Sequence, residues 1–311
     1  MKVILHIGAH RTGTTSFQTV MRKRCRSGVD PSVGFWGPMR TRKGLFTGIQ
    51  PTPGLGKSAS RRARGRILLQ MEKARQAGVK TLIVSDENMM GMPGLNLRTG
   101  HLYSDVGERL ARHVAAFDGH VNKVVLSVRA QDHYWTSLAA FAITRGHNVP
   151  DAAQAGRMVH SPRTWRDVIA DVACAAPDAK IEVTPFETTM GRADTVLGVC
   201  LGHRVDDAGE GEWLNRRPET GALRNILADR GENPDQIPAD ALRWSPFDET
   251  ARATLREVYA DDMHWLVAGA NGLATLTEEL DHTRAGHTPP IGPLNRGQGH
   301  DIEERRMAHP R

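Results

Sequence analysis

Apolar residues along this chain fall into two alternating patterns. Four short runs are almost wholly apolar and rich in β-branched residues: residues 2–8 (KVILHIG), 79–85 (VKTLIVS), 121–128 (VNKVVLSV) and 180–184 (KIEVT). Runs of that length without polar alternation predict strands buried on both faces, as in a parallel sheet. Between and after them lie stretches of helical composition at 14–26, 59–77, 102–117, 132–145, 163–175, 188–201, 220–230 and 249–268. In the first of these, Phe17, Val20 and Met21 share one side. Strands alternating with helices predict an α/β fold with a central, mostly parallel sheet flanked by helices. Ligands in such folds bind outside the C-terminal ends of the strands. The 311 residues read as one domain over 1–282, with an irregular Gly-, Pro- and Arg-rich insertion at 27–60. Residues 283–311 lose all periodicity and read as a tail.

Charge sharpens this picture. The net charge is +6, yet residues 1–80 hold seventeen Lys and Arg against two acids, Asp30 and Glu72. The rest of the chain holds 24 basic and 33 acidic residues, so the positive field sits in the N-terminal quarter. Such a field favours anionic ligands. Three widely spaced cysteines, Cys25, Cys174 and Cys200, show no metal-ligand or redox spacing and read as reduced thiols. With no run long enough for a transmembrane helix and too short an apolar start for a secretory signal, the expected location is cytoplasmic.

The first strand runs straight into Gly8-Ala9-His10-Arg11-Thr12-Gly13-Thr14-Thr15, which then opens a helix. Strand, glycine-bearing loop and helix is the setting of a phosphate-binding loop, where backbone N–H groups and the helix N-terminus converge on an anion. Against the pattern GxxxxGK[ST] both glycines and the final Thr are in register, but Thr14 stands where the lysine would be. That lysine reaches the β- and γ-phosphates of a triphosphate. Its loss, with a cation three residues earlier at Arg11, suits a shorter anionic group on a nucleotide.

The segment HIGAHRTGTTSFQ, His6–Gln18, resembles the 5′-phosphosulfate-binding loop of sulfotransferases that use 3′-phosphoadenosine 5′-phosphosulfate (PAPS). In bacterial and Golgi-type members this loop usually reads H-I-G-x-x-K-T-G-T-T-S-L-Q. Arg11 replaces the lysine and Phe17 the leucine; arginine keeps the charge but not the shape or the capacity to give up a proton. A second segment, VVLSVRAQDHYWTSL, resembles the family's 3′-phosphate motif, with Arg129 at a strand end and Ser137 two helical turns on. Weaker similarity runs through PFE at 185–187, LNRR at 214–217 and the region of 259–266. The resemblance implies a P-loop NTPase-like sulfotransferase fold, with PAPS as sulfuryl donor and 3′-phosphoadenosine 5′-phosphate (PAP) as product. It implies that Arg11, Thr12, Gly13, Thr14, Thr15 and Ser16 hold the 5′ group. Arg129 and Ser137 would hold the 3′-phosphate, and Asn215, Arg216 and Arg217 the far end of the nucleotide. The transfer itself requires no metal.

Sulfuryl transfer needs a base for the acceptor and positive charge around the leaving phosphate. Glu87, at the end of the second apolar run, is the expected base, with its pKa raised by partial burial. Asp86, His10 and His101 are the alternatives. The expected acceptor is a small molecule or saccharide bearing a hydroxyl or amine, and the basic insertion suggests an anionic one. Two other classes compete. IVSDEN resembles a Walker B strand, which would suggest an ATP-dependent kinase or ATPase, but the loop lacks its lysine. The basic stretch 22–66 would suit a nucleic-acid scaffold, but it has only Phe35, Trp36 and Phe46 for stacking, so no nucleic acid is expected.

Overall fold

The computed structural model describes residues 1–277 apart from 52, 55, 57, 190, 191, 207–213 and 241. The expected tail at 283–311 lies outside the described residues. Six parallel strands form one sheet: β1 (Lys2–His6), β2 (Val33–Trp36), β3 (Thr81–Ser85), β4 (Val121–Val128), β5 (Lys180–Pro185) and β6 (Thr275–Leu276). Their spatial order is β2-β3-β1-β4-β5-β6.

Helices fill the connections. In chain order they are α1 (Thr14–Ser27), the single turn α2 (Pro38–Arg40), α3 (Ala59–Gln76), α4 (Pro93–Thr99), α5 (Val106–Ala116) and α6 (Gln131–Thr144). Then follow α7 (Ala152–Val159), α8 (Trp165–Ala175), the short α9 (Phe186–Thr189), α10 (Ala193–Leu201), α11 (Thr220–Asp229) and α12 (Glu249–Val267). Among the described residues, no helix is long and apolar enough to cross a membrane.

Strand side chains alternate between two apolar layers, as the two-residue period of a strand requires. Val3 and Leu5 of β1, Leu82 and Val84 of β3 and Val124 and Leu126 of β4 enter the larger core, with Ile67 of α3, Leu110 of α5 and Trp165 of α8. Ile4, Ile83 and Val125 point to the opposite face, where Phe17, Val20 and Met21 of α1 meet Val196, Leu197 and Val199 of α10. A third cluster joins α6 to α11 through Ile143, Leu223 and Leu227.

Strand order locates the site. The chain leaves β1 toward β2 and β3 on one side, whereas it leaves β4 toward β5 on the other. Adjacent strands whose connections part in this way create a crevice at their C-terminal ends. The loop at 8–13 and Arg129 both emerge there.

Several sequence expectations change. The segment 27–60 is not wholly irregular: it carries β2, which pairs in register with β3. Gly34 permits that strand, because a Cβ there would lie 2.9 Å from a Val79 methyl. The helix expected at 188–201 is two pieces, α9 and α10, separated by Arg192 in extended backbone (φ −62°, ψ 121°). The helix expected from 102 begins only at Val106, because Tyr103 adopts a positive φ of 42°. Helices α4 and α7 lie in stretches to which the sequence reading assigns no element.

Candidate active site

After β1 the backbone extends the sheet for two more bonds, Ile7 N–H to Val125 O (3.0 Å) and Ala9 N–H to Ser127 O (2.8 Å). The chain then turns. Gly8 has φ 40°, and a Cβ there would come within 2.3 Å of the Thr14 methyl. Thr12 closes the turn by donating its hydroxyl to Ala9 O at 2.7 Å. Arg11 (φ 69°) and Gly13 (φ 81°) are both left-handed, and Gly13 leads directly into α1. That helix has no side-chain N-cap and no acid in its first turn. Its first N–H groups have no intrahelical partners, and its positive end faces the loop.

The neighbouring strand supplies the second half. Arg129 follows β4 and donates through Nη1 to Arg11 O at 2.8 Å. Its guanidinium lies 4.6 Å from the centre of the Phe186 ring. Its Nε is buried and has no partner among the described residues. Ser137, on α6 and 1% exposed, accepts a bond from Arg11 Nε at 3.0 Å. A strap at 214–217 crosses the start of α1. Leu214 N–H donates to Ser16 Oγ (3.0 Å), Asn215 Nδ2 to Thr15 Oγ1 (3.2 Å), and Asn215 O accepts from Arg11 Nη2 (2.8 Å).

These elements line an open cavity of about 390 Å³. The loop and α1 contribute Arg11, Gly13, Thr14 and Thr15 to its lining; β4 and α6 contribute Arg129, His133 and Ser137; the strap contributes Asn215, Arg216 and Arg217. Arg243 and Phe186 complete the wall with Glu187, the one carboxylate beside five arginines among the described lining residues. Glu187 is oriented by its own bonds, accepting from Ala130 N–H at 3.0 Å and Tyr259 hydroxyl at 2.9 Å. Burial, followed by repulsion from Arg129 and Arg217, pushes the Arg11 pKa down to about 10. Burial likewise lowers Arg129 and Arg217. Crowded, partly desolvated cations of this kind are stabilised by an anion.

Most residues expected from the sequence therefore meet in one place. Thr12 and Ser16 do not line the cavity; their hydroxyls are engaged within the loop and with the strap. Glu87 also lies outside the lining, at the end of β3. Its Oε2 accepts from Gln18 Nε2 of α1 at 2.8 Å, and its Oε1 from Arg42 Nη2 at 2.9 Å. Burial pushes the Glu87 pKa up, but the charges of Arg42 and His10 and the Arg42 hydrogen bond outweigh it, so the carboxyl sits below its ordinary range. The expected upward shift is thus reversed, by a cation from the segment between β2 and α3.

The alternative bases are occupied. Asp86 accepts from the Thr41 hydroxyl at 2.5 Å, the Asn88 N–H at 3.1 Å and Arg42 Nη2 at 2.6 Å, so it caps a turn and anchors Arg42. His10 lies within hydrogen-bond distance of Tyr103 Oη through Nδ1 (2.9 Å) and of Asn88 Oδ1 through Nε2 (3.2 Å). Burial lowers its pKa. His101 pairs with Ser161 and does not line the cavity. Among the described residues, no group of three or more His, Cys, Asp or Glu stands together as a metal site would require.

Sequence reasoning missed His133 and Arg243. His133 sits inside the stretch that carries Arg129 and Ser137, four residues before Ser137 and one helical turn away, so helical spacing would have found it. Arg243 lies in a short segment with no motif, and only tertiary packing brings it to the cavity.

No protein-family model matches this chain, and no curated protein matches its sequence significantly. Among solved structures it is similar to the crystal structure of a sulfotransferase from Alicyclobacillus acidocaldarius, at 13% identity and a TM-score of 0.40, over 87% of this chain and 96% of that one.

Proposed function

We propose that this chain is a PAPS-dependent sulfotransferase. The observation that carries the reading is the cavity in which the loop after β1 and the Arg129–Ser137 pair after β4 converge, five arginines facing one carboxylate. Its net charge of about four positive units suits a nucleotide with a 3′-phosphate and a 5′ anionic group, each phosphate monoester carrying about −1.5 to −2. Its volume lies within the range of small-ligand pockets, roughly 300–1,000 Å³.

In this reading, Thr14, Thr15 and the first N–H groups of α1 hold the 5′ group. Arg129 and Ser137 hold the 3′-phosphate, and the strap residues Asn215, Arg216 and Arg217 with Arg243 close over the rest. The donor nucleotide supplies the sulfuryl group. Arg11 spreads positive charge over the oxygen that the nucleotide retains, and as a guanidinium it does so without transferring a proton. Glu87, ionised at neutral pH, takes the proton of an acceptor hydroxyl or amine. The acceptor is a small molecule or saccharide, and the basic insertion favours an anionic one.

Calorimetric titration with PAP beside ATP, each with and without Mg²⁺, tests the donor site. Micromolar, metal-independent binding of PAP with weak ATP binding is the expected result. Preference for Mg²⁺-ATP would replace this reading with a kinase or ATPase, and binding of neither would remove the enzymatic reading.

A further inference from the structure

Tyr103 takes part in none of the roles above, yet its backbone is strained. Its φ of 42° is unusual for a bulky side chain and costs free energy that the surroundings must offset. Those surroundings are specific. Asn96 Oδ1 accepts from Tyr103 N–H at 3.2 Å, and Arg163 donates to the carbonyls of Leu102 (2.5 Å) and Tyr103 (3.1 Å) while pairing with Asp171. The ring is fully buried between His10, Tyr134 and Trp165.

All of this fixes one oxygen. Tyr103 Oη accepts the backbone N–H of His10 at 2.9 Å and lies 2.9 Å from His10 Nδ1. His10 Nε2 faces the amide oxygen Asn88 Oδ1, which only accepts, so Nε2 carries the ring proton and Nδ1 accepts. The phenol oxygen therefore accepts from the N–H of His10 and stands within hydrogen-bond distance of Nδ1 of the same residue. Burial raises the Tyr103 pKa well above the ordinary value, which keeps the phenol protonated.

Two bonds to one residue lock both backbone and ring of His10, immediately before the left-handed turn at Arg11. The far side of that turn is held at Arg11 O by Arg129. We infer that Tyr103 is a positioning residue for the anion-binding loop: its hydroxyl presets the His10–Arg11 turn, so that the loop N–H groups and Arg11 already face the 5′ group before it arrives. This rests on the nucleotide reading above. Its effect falls chiefly on the 5′ group; the 3′ half-site is tied to the same turn only through Arg11, by the bonds of Arg129 to Arg11 O and of Arg11 Nε to Ser137, and should feel the change less.

The test compares wild type and Tyr103→Phe, which keeps the ring and removes the hydroxyl. Calorimetry would follow PAP and adenosine 3′-monophosphate, which lacks the 5′ group. Loss of the hydroxyl leaves a buried N–H without its partner and should weaken PAP about tenfold while moving the 3′-monophosphate by less than about twofold. Equal PAP affinity in the two proteins, or parallel weakening of both nucleotides, would overturn the positioning role. Wild-type protein that binds neither would instead overturn the function, and this inference with it. If the variant fails to fold, hydrogen exchange on the nucleotide-free wild type decides: the His10 amide should be protected, and exchange at the rate of an open loop overturns the inference.

Discussion

Arg11 and Ser137 are 126 residues apart in sequence, yet Arg11 Nε donates to Ser137 Oγ at 3.0 Å. The residue assigned to the 5′ end of the nucleotide thus touches the residue assigned to its 3′-phosphate. Arg11 also reaches Asn215 O, so one planar fork spans loop, helix α6 and strap. The two half-sites act as a unit, and their contributions should not add. Arg11→Ala is expected to lower turnover on the order of 10²–10³-fold, as removal of a transition-state donor does. Kinetics of the single variants and of Arg11→Ala with Ser137→Ala check this; a turnover loss below about threefold for Arg11→Ala removes it from the catalytic role.

Arg42 sets the ionisation of Glu87. It donates to Glu87 Oε1 while anchored on Asp86, and it holds the Glu87 pKa below the usual range against burial. His10, which also faces this carboxylate, is lowered by burial and stays neutral near pH 7. Activity that needs ionised Glu87 should rise as pH rises through the Glu87 pKa. In Arg42→Ala burial is no longer outweighed, so the acid limb of kcat/KM should move to higher pH. Superimposable acid limbs in the two proteins would show that Glu87 is not the base.

Much of this was legible in the sequence, for physical reasons. Strands β1, β3, β4 and β5 are buried on both faces, and continuous apolar runs announce that. Strand β2 has four residues, one of them Gly34, and β6 has two, too few for any pattern. Arg11 was legible because it sits in a strand–loop–helix segment, whereas Arg129 and Ser137 were expected only from the resemblance of their segment to a known motif. The Arg42–Glu87 pair was not legible, because it joins residues 45 apart through a turn that only the fold creates. Nor was the kink at Tyr103, whose cost is offset by Asn96 and Arg163 from other elements.

Gly8 has no room for a side chain. Its φ of 40° disfavours other residues, and a Cβ would collide with the Thr14 methyl at 2.3 Å. Gly8→Ala must therefore turn the Thr14 side chain out of its place in the cavity wall or shift the start of α1. The left-handed backbone alone costs about 1–2 kcal/mol. The variant should melt at a lower temperature and bind PAP at least about tenfold more weakly, a loss of about 1.4 kcal/mol. Calorimetry checks the second effect separately, and a lower melting temperature with unchanged PAP affinity would show that the loop does not contact the nucleotide.

Two buried histidines predict an acid-sensitive fold. His6, packed edge-on against Phe17 at 4.7 Å, and His113 are each pushed down to about 4, burial being the foremost cause. Between about pH 6.5 and 4 the unfolded chain binds protons at these positions that the folded chain refuses, so stability falls as pH falls through that window. At its lower end each group costs on the order of 3 kcal/mol, from a shift of about 2.5 units at 1.36 kcal/mol per unit. Thermal unfolding followed from pH 7 to pH 4.5 should show a steep fall in Tm. His6→Asn removes one titrating group, so its melting temperature should decline less steeply with acid, whatever its value at pH 7. Equal slopes for wild type and variant would mean that His6 is protonated in the native state and that its burial beside Phe17 and Ser85 does not exclude the charge.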